Sequence, residues 1–361
     1  MEEQSLTIAK EIINEAYRSK SALRIVGGNS KSFYGNDLTE LPMLPTNDFD
    51  GIVQYEPGEL VLQVGAGTKL LEVINTLEGE GQILACDPPV YDGNATVGGA
   101  IAAGISGSRR PYSGSVRDFI LGVDIIDGKA QHMSFGGQVM KNVAGYDVSR
   151  LLTASMGCLG LITEVSLKVL PKPALEKTQC IEIERSSAHN LMCEMRFDNA
   201  LLSASAYFNG QLYVRFSGME NSVINASQKF GGESLDNNIW HEIDNLHLFD
   251  RKKDLWRASL SPGSTLFLKD ATLVDWGGGQ RWIEASTIDA DLKAEPTIDL
   301  RNILTESGEA GHLTLVRLGR ESTSHDRFQP LRPHLLNLHK GLKAEFDPAS
   351  ILNPHKMYKQ F

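Results

Sequence analysis

Apolar residues fall near helical spacing from Ser5 to Lys20, at Leu6, Ile8, Ile12, Ile13 and Ala16, with Ser5 as a candidate N-cap. Leu23 to Val26 then reads as a short strand, running into the loop Gly27-Gly28-Asn29-Ser30-Lys31-Ser32. Gly51 to Gln54 and Leu60 to Val64 read as paired strands about a Glu56-Pro57-Gly58 turn. Thr68 to Leu77 reads as a helix with Leu70, Leu71, Ile74 and Leu77 on one face, followed by a short strand from Gln82 to Ala85. Phe119 to Ile126 and Ala130 to Met133 form an expected hairpin about Asp127-Gly128. Arg150 to Ala154 closes a helical segment, and Leu161 to Val169 alternates as a strand that ends at Pro171-Lys172-Pro173, the first expected domain boundary.

Beyond Leu175 the pattern changes. Short strands (Ile181 to Ile183, Ser203 to Phe208, Leu212 to Phe216) alternate with helices (Ala188 to Arg196, Glu220 to Phe230), which suits an α+β cap domain. The stretch from Leu335 to Phe346 is amphipathic. The expected organisation is a first domain over 1–172, a cap over 173–330, and a C-terminal segment, 331–361, packing back on the first domain.

Composition narrows the class. Of 361 residues, 41% are hydrophobic and 22% charged, the range of ordinary folded proteins, so disorder and coiled-coil designs are excluded. A net charge of -10 argues against nucleic acid as a partner. The cysteines, Cys86, Cys158, Cys180 and Cys193, lack the close spacing of a disulfide framework, a zinc site or an iron–sulfur cluster. The N-terminus, MEEQSLTIAKEII, is acidic and helical rather than a signal peptide, and no apolar run reaches the ~20 residues of a bilayer span. The expected location is therefore cytoplasmic, with any membrane association peripheral and made through partner subunits.

Three glycine-containing stretches carry the candidate chemistry. Val64-Gly65-Ala66-Gly67-Thr68-Lys69-Leu70 mimics a dinucleotide fingerprint, but Leu70 stands where the third glycine should pack helix against strand. The loop at 27–32 offers successive N–H groups and hydroxyls of the kind that bind phosphate oxygens, with an ordinary strand-to-loop turn as the alternative. Residues 93–118 include a long run of mostly small side chains, from Ala95 to Gly107, that is costly to order. Such a run suits backbone pressed against something flat and bulky better than a helix without bulky anchors.

These stretches resemble the FAD-binding segments of the vanillyl-alcohol-oxidase (PCMH-type) flavoprotein family. The loop at 27–32 is similar to that family's first pyrophosphate loop. Thr96-Val97-Gly98-Gly99, Ala102-Ala103-Gly104-Ile105-Ser106-Gly107, Arg109 and Arg117-Asp118-Phe119-Ile120-Leu121-Gly122 resemble its second segment. Gly157-Cys158-Leu159-Gly160-Leu161-Ile162-Thr163-Glu164 resembles its third, and Phe346-Asp347-Pro348 with Ile351-Leu352-Asn353-Pro354 its C-terminal signature. Within the family, Gly28-Asn29-Ser30-Lys31, Arg109-Arg110-Pro111, the stretch from Phe135 to Asp147, and Trp276-Gly277-Gly278 with Arg281-Trp282 are similar to bacterial glycolate oxidase E subunits.

The resemblance implies an α+β fold: a two-part PCMH-type FAD-binding domain plus an α+β cap, with the tail returning to the FAD domain. It implies FAD contacts from Gly27, Gly28, Asn29, Ser30, Lys31 and Ser32 at the diphosphate. Thr96, Val97, Gly98, Gly99, Ala103, Gly104, Ser106 and Gly107 would lie along the ribityl chain and ring. Arg109 or Arg110 would place positive charge near the flavin, with a surface ion pair as the alternative for one of them; Leu161 and Ile162 would meet the adenine, and Asn353 joins the set from the tail. Asn29 stands where many relatives carry a flavin-linking histidine, so non-covalent FAD is expected. Gly311-His312 lacks the second histidine of the family's cap metal site, so no metal is expected, and no catalytic residue is identified; Tyr146 and Asp147 are weaker site candidates. The implied activity is oxidation of glycolate, a small 2-hydroxy acid, by a complex with a second flavin subunit and an iron–sulfur subunit. The alternatives are a self-sufficient FAD oxidoreductase for another hydroxy acid or alcohol, and a redox-silent FAD-binding scaffold.

Overall fold

The computed structural model describes residues 2–137, 147–198, 201–284, 300–319 and 326–361. The segment from Gln138 to Tyr146, including the candidate Tyr146, lies outside the described residues. The chain divides into two compact units, one of Met1–Ser106, Gly114–Lys172 and Pro330–Phe361, the other of Gly107–Ser113 and Pro173–Gln329. Residues 107–113, placed by the sequence pattern in the first domain, thus belong to the second unit. Among the described residues no helix is long and apolar enough to cross a membrane.

The first unit is built on a five-stranded antiparallel sheet in the order Ile52–Glu56, Val61–Gly65, Leu161–Lys168, Ile120–Ile126, His132–Gly136. Leu161–Lys168 is central and buried on both faces rather than alternating, as a strand covered on each side must be. The hairpin pairs Ile126 with His132, two residues later than the sequence suggests. Asp127 takes up the difference, its carboxylate accepting from the backbone of Lys129 and Gln131 at 2.8 Å. Val61–Gly65 has antiparallel neighbours on both sides, so the glycine run after it opens no parallel dinucleotide unit. Gly67 is needed for another reason: a Cβ there would sit 2.2 Å from the carbonyl oxygen of Thr46.

The first helix spans Glu2–Ser19 and starts upstream of Ser5. Acidic residues are favourable in a first helical turn, so the sequence MEEQ extends the helix and Ser5 is not its cap. The helix buries Ala9, Ile13 and Ala16 and leaves Ile8 and Ile12 exposed. Beside the main sheet, Arg24–Val26 pairs in parallel with Met43–Pro45, and Leu23 bridges Leu352. The tail is fastened there by a buried ion pair. Lys343 and Asp347 are 2% and 0% exposed; the ammonium bonds the carboxylate at 2.7 Å and the carbonyls of Cys158 and Leu352 at 2.8 and 2.7 Å. Asp347 in turn accepts from the backbone of Ile351 and Leu352.

The second unit carries one antiparallel sheet of eight strands: Glu233–Leu235, Leu175–Glu182, Gln211–Gly218, Leu202–Phe208, Leu273–Asp275, Gln280–Glu284, Leu255–Leu260, Gly311–Arg317. Helices Arg185–Asp198 and Glu220–Phe230 contact the first half and helix Leu300–Ser307 contacts Gly311–Arg317. The sequence pattern anticipated Leu202–Phe208, Gln211–Gly218 and only the end of Leu175–Glu182; Glu233–Leu235 and the strands from Leu255 onward were not foreseen.

Removing one partner of a buried ion pair strands the other charge, at a cost of about 3–5 kcal/mol. Lys343→Met is therefore expected to lower unfolding stability by that amount in denaturant titration. A wild-type midpoint for this variant would show that the pair does not hold the tail.

Candidate functional site

The first unit contains an open cleft of about 930 Å³, its solvent mouth included. One wall is the loop 27–32, launched from strand Arg24–Val26. Two glycines there are fixed by close approach: a Cβ on Gly28 would lie 1.5 Å from the carbonyl oxygen of Asn94, and one on Gly27 2.4 Å from Thr96 Oγ1. Asn29 adopts a left-handed φ of 54°, which turns the loop back on itself. Among the described residues, none of the backbone N–H groups of Gly28 to Ser32 meets a protein acceptor. Successive unpaired N–H groups in a turn form an anion-binding concavity.

The facing wall is the run of small residues, and here the structure corrects an expectation: Val97–Ala103 is a helix. Its anchors are Val97 and Ile101, both buried in the core of the first unit, and Thr96 caps it by accepting from Gly99 N at 3.3 Å. The backbone N–H groups of Val97 and Gly98 are taken by the carbonyls of Thr68 and Ala66, at 3.0 and 2.8 Å. Gly98 is small for packing, since a Cβ there would meet that of Ala66 at 2.7 Å. Ala102, Ala103 and Gly99 turn to the cleft.

The floor comes from the tail. Asn353 Oδ1 accepts from Ile25 N at 2.8 Å, and its Nδ2 donates to the carbonyl of Met156 at 2.7 Å. Nearby, Lys356 Nζ donates to the carbonyl of Asn36 at 2.8 Å. Charge in the lining favours an anion. Lys31, Arg24 and Lys356 line the cleft with one acidic residue, Asp37, whose carboxyl is held below its usual range chiefly by the Thr39 backbone N–H. Among the described residues Arg24 Nε is buried with no hydrogen-bond partner. Lys31 donates to Ser30 Oγ at 3.2 Å and sits 5.3 Å from the Tyr91 ring centroid; burial lowers its pKa to about 8.

The cleft brings together Gly27, Gly28, Asn29, Ser30, Lys31, Ser32, Thr96, Gly98, Gly99, Ala103, Ile162 and Asn353. Other candidates lie elsewhere. Val97 is core, and Leu161 packs with Ile13 and Ile351 beneath the first helix. Gly104 ends its helix at φ 63°, and Ser106 Oγ accepts from Val116 N at 2.9 Å. Gly107, Arg109 and Arg110 belong to the second unit. There Arg109 pairs with Glu176 at 2.8 Å, and Arg110 lies 4.3 Å from the Trp276 ring centroid. Burial is the largest single influence on the Glu176 carboxyl and works to raise it, but the charge and hydrogen bond of Arg109, with Arg215 and Ser217, together hold the pKa low. Asp147 caps the short helix Val148–Leu151 by accepting from Arg150 N. Sequence reasoning missed Arg24, Asp37, Thr39, Thr46 and Met156, of which only the Asx turn at Asp37-Leu38-Thr39 left a readable signal.

Residues 5–149 match the family described as FAD binding domain. Among solved structures, alkyldihydroxyacetonephosphate synthase aligns with a TM-score of 0.65 at 14% identity, over 96% of this chain and 74% of that one. The fold is therefore the α+β, PCMH-type FAD-binding fold. The chain is also 40% identical over 353 residues to glycolate oxidase subunit GlcE of Escherichia coli, covering 97% of this chain and 96% of that protein. It belongs to the GlcE family of glycolate oxidase subunits. Shorter similarities reach glycolate oxidase subunit GlcD of Bacillus subtilis, 33% identical over 35% of this chain and 27% of that protein. D-lactate dehydrogenase of Anaerostipes hadrus is 30% identical over 54% of this chain and 38% of that protein.

A methyl group at position 28 cannot be placed without moving the backbone at Asn94, which separates the loop from the helix that follows. Gly28→Ala is expected to purify folded but with little flavin, read as the ratio of flavin to protein absorbance. Full flavin content in this variant would show that the loop is not part of the cofactor site.

Proposed function

We propose that this chain is the FAD-carrying subunit of a complex that oxidises glycolate to glyoxylate, with the cleft of the first unit as its FAD site. The observation that carries the placement is the loop 27–32, whose N–H groups from Gly28 to Ser32 meet no acceptor among the described residues and lie beside Lys31 and Arg24. A diphosphate is the part of FAD that such a wall would hold. The fit is good on two further counts: Arg24 Nε is buried with no partner among the described residues, and the helix 97–103 presents only small side chains to the cleft. When bound, FAD supplies the redox chemistry, taking up the electrons of a CH–OH group.

The chain's own residues have simpler duties. Lys31 and Arg24 neutralise the diphosphate, the N–H groups of the loop orient it, and Gly99, Ala102 and Ala103 leave room for the rest of the cofactor. Asn353 and Met156, bonded to each other, line the floor. With asparagine at position 29, the loop offers no histidine for a covalent link, which supports non-covalent FAD. The partners we infer are a GlcD-like second flavin subunit, where the hydroxy acid is oxidised, and an iron–sulfur subunit that receives electrons. The cysteines support the latter: all four are free thiols, three of them buried, and they are far apart in sequence. The absence of a membrane-crossing helix among the described residues supports a cytoplasmic subunit that reaches a membrane only through partners.

The deciding experiment is the visible spectrum of the purified chain before and after glycolate, alone and with the partner subunits. Bleaching of its flavin only in the assembled complex is the expected result. Bleaching by the chain alone would make it a self-sufficient enzyme. No flavin after added FAD would remove the proposal.

A second test uses Lys31. Its pKa in the free protein is about 8, lowered by burial, and a bound diphosphate would raise it again. Below pH 8 the ammonium is charged in both states, so affinity for FAD should be flat. Above that value binding must take up a proton, and affinity should fall, approaching about tenfold per pH unit. Lys31→Met should bind more weakly at neutral pH and lose this slope. An unchanged slope in the variant would show that Lys31 does not face the diphosphate.

A further inference from the structure

Among the described residues, one place on the second unit brings three metal-ligating side chains together: His241, Glu242 and His247. Each offers one donor atom, and the three donors lie within 4.8 Å of one another. The end of helix Asn238–Asp244 creates the grouping. Asn245 N bonds the carbonyl of His241 at 3.0 Å, Leu246 turns left-handed at φ 60°, and His247 N bonds the carbonyl of Glu242 at 2.9 Å. This reversal carries a histidine six positions along the chain back over the glutamate. The frame is held from below, since Trp240 and Ile243 are buried and Trp240 Nε1 donates to Thr178 Oγ1 at 2.8 Å.

The donor geometry fits a small dication. Glu242 divides its oxygens, Oε1 lying 3.6 Å from His241 Nδ1 and Oε2 3.3 Å from His247 Nδ1. Bonds of about 2.0–2.1 Å at tetrahedral angles put neighbouring ligand atoms about 3.3 Å apart. With one donor atom from each residue the three lie within 4.8 Å of one another, so side-chain rotation has to close them by as much as about 1.5 Å to meet that spacing. Two imidazoles and one carboxylate suit zinc or a similar first-row dication, whereas magnesium and calcium prefer oxygen donors throughout.

We propose that His241, Glu242 and His247 form a three-ligand site for a zinc-type dication, with its remaining position open to solvent or another donor. The same helix ends in Asp244, whose Oδ1 accepts from both Ser108 N and Ser108 Oγ at 2.8 Å. A metal clamped across the helix end therefore also steadies the acceptor that holds residues 107–113 within the second unit. This proposal is independent of the flavin reading, because it uses none of the cleft residues.

The test is calorimetric titration of the tag-free, chelator-treated full chain with zinc chloride, beside the double variant His241→Ala/His247→Ala and the single variant Glu242→Gln. The wild type is expected to bind one zinc at this site. Loss of a direct ligand should weaken it at least as much as loss of an outer-sphere partner, about 10- to 100-fold. Circular dichroism and melting of the metal-free variants should match the wild type, which separates a lost site from a lost fold. Zinc bound equally by wild type and variants, or by none of them, would reduce the cluster to histidine–glutamate ion pairs and overturn the proposal. If the variants misfold, cobalt substitution of the wild type gives the answer through its visible d–d bands, whose absence would equally overturn it.

Discussion

The ammonium of Lys343, enclosed with Asp347 and two backbone carbonyls, fastens the segment that runs beside the strand from which the cleft wall starts. Burying both charges costs several kcal/mol, and the arrangement is tolerable because every partner is satisfied: three acceptors for the ammonium, two backbone donors for the carboxylate besides. From this knot Leu352 reaches Leu23, and Asn353 binds Ile25 and Met156 with opposite ends of its amide. The strand Arg24–Val26 therefore leaves its sheet at a fixed point, and the loop 27–32 starts from there. Anion-binding geometry in that loop is an outcome of packing some distance away.

The small residues of the first unit divide into two kinds that look alike in a list. Gly65, Gly67 and Gly98 are small because another part of the same chain passes too close for a Cβ. Gly99, Ala102 and Ala103 are small where they face the cleft. Helix 97–103 has already spent its first N–H groups on the carbonyls of Thr68 and Ala66. What it offers the cleft is thus shape, and the positive charge comes from Lys31 and Arg24.

Much of this was legible beforehand. The loop at 27–32, the helix Glu220–Phe230 and the tail's Asn353 carry local signals, in turn residues, apolar spacing and family likeness. The run from Ala95 to Gly107 misled because its anchors, Val97 and Ile101, are only two, and their spacing shows as a helix only once the core beneath is known. Strands Leu273–Asp275 and Gln280–Glu284 escaped because a strand buried on both faces has no period-two pattern, whereas Leu255–Leu260 does alternate, burying Trp256, Ala258 and Leu260, and was missed despite that signal. Arg109 looked like a flavin contact from its neighbours in sequence, yet its charge is matched to Glu176, which no local pattern predicts. The histidines at 241 and 247 drew no attention either, because their meeting depends on the left-handed turn at Leu246.

A side chain lining the cleft floor, Asn353, bonds to Ile25 across 328 positions of chain. A polypeptide growing from its N-terminus displays the glycine loop and the small-residue helix long before it possesses a floor to put under them. Contacts of such long range carry a loop-closure cost before any reward from them. If the cleft holds the flavin as proposed, its wall is complete only once residues 353–356 have been made, so a chain interrupted before them would lack part of the site that the N-terminal segments line.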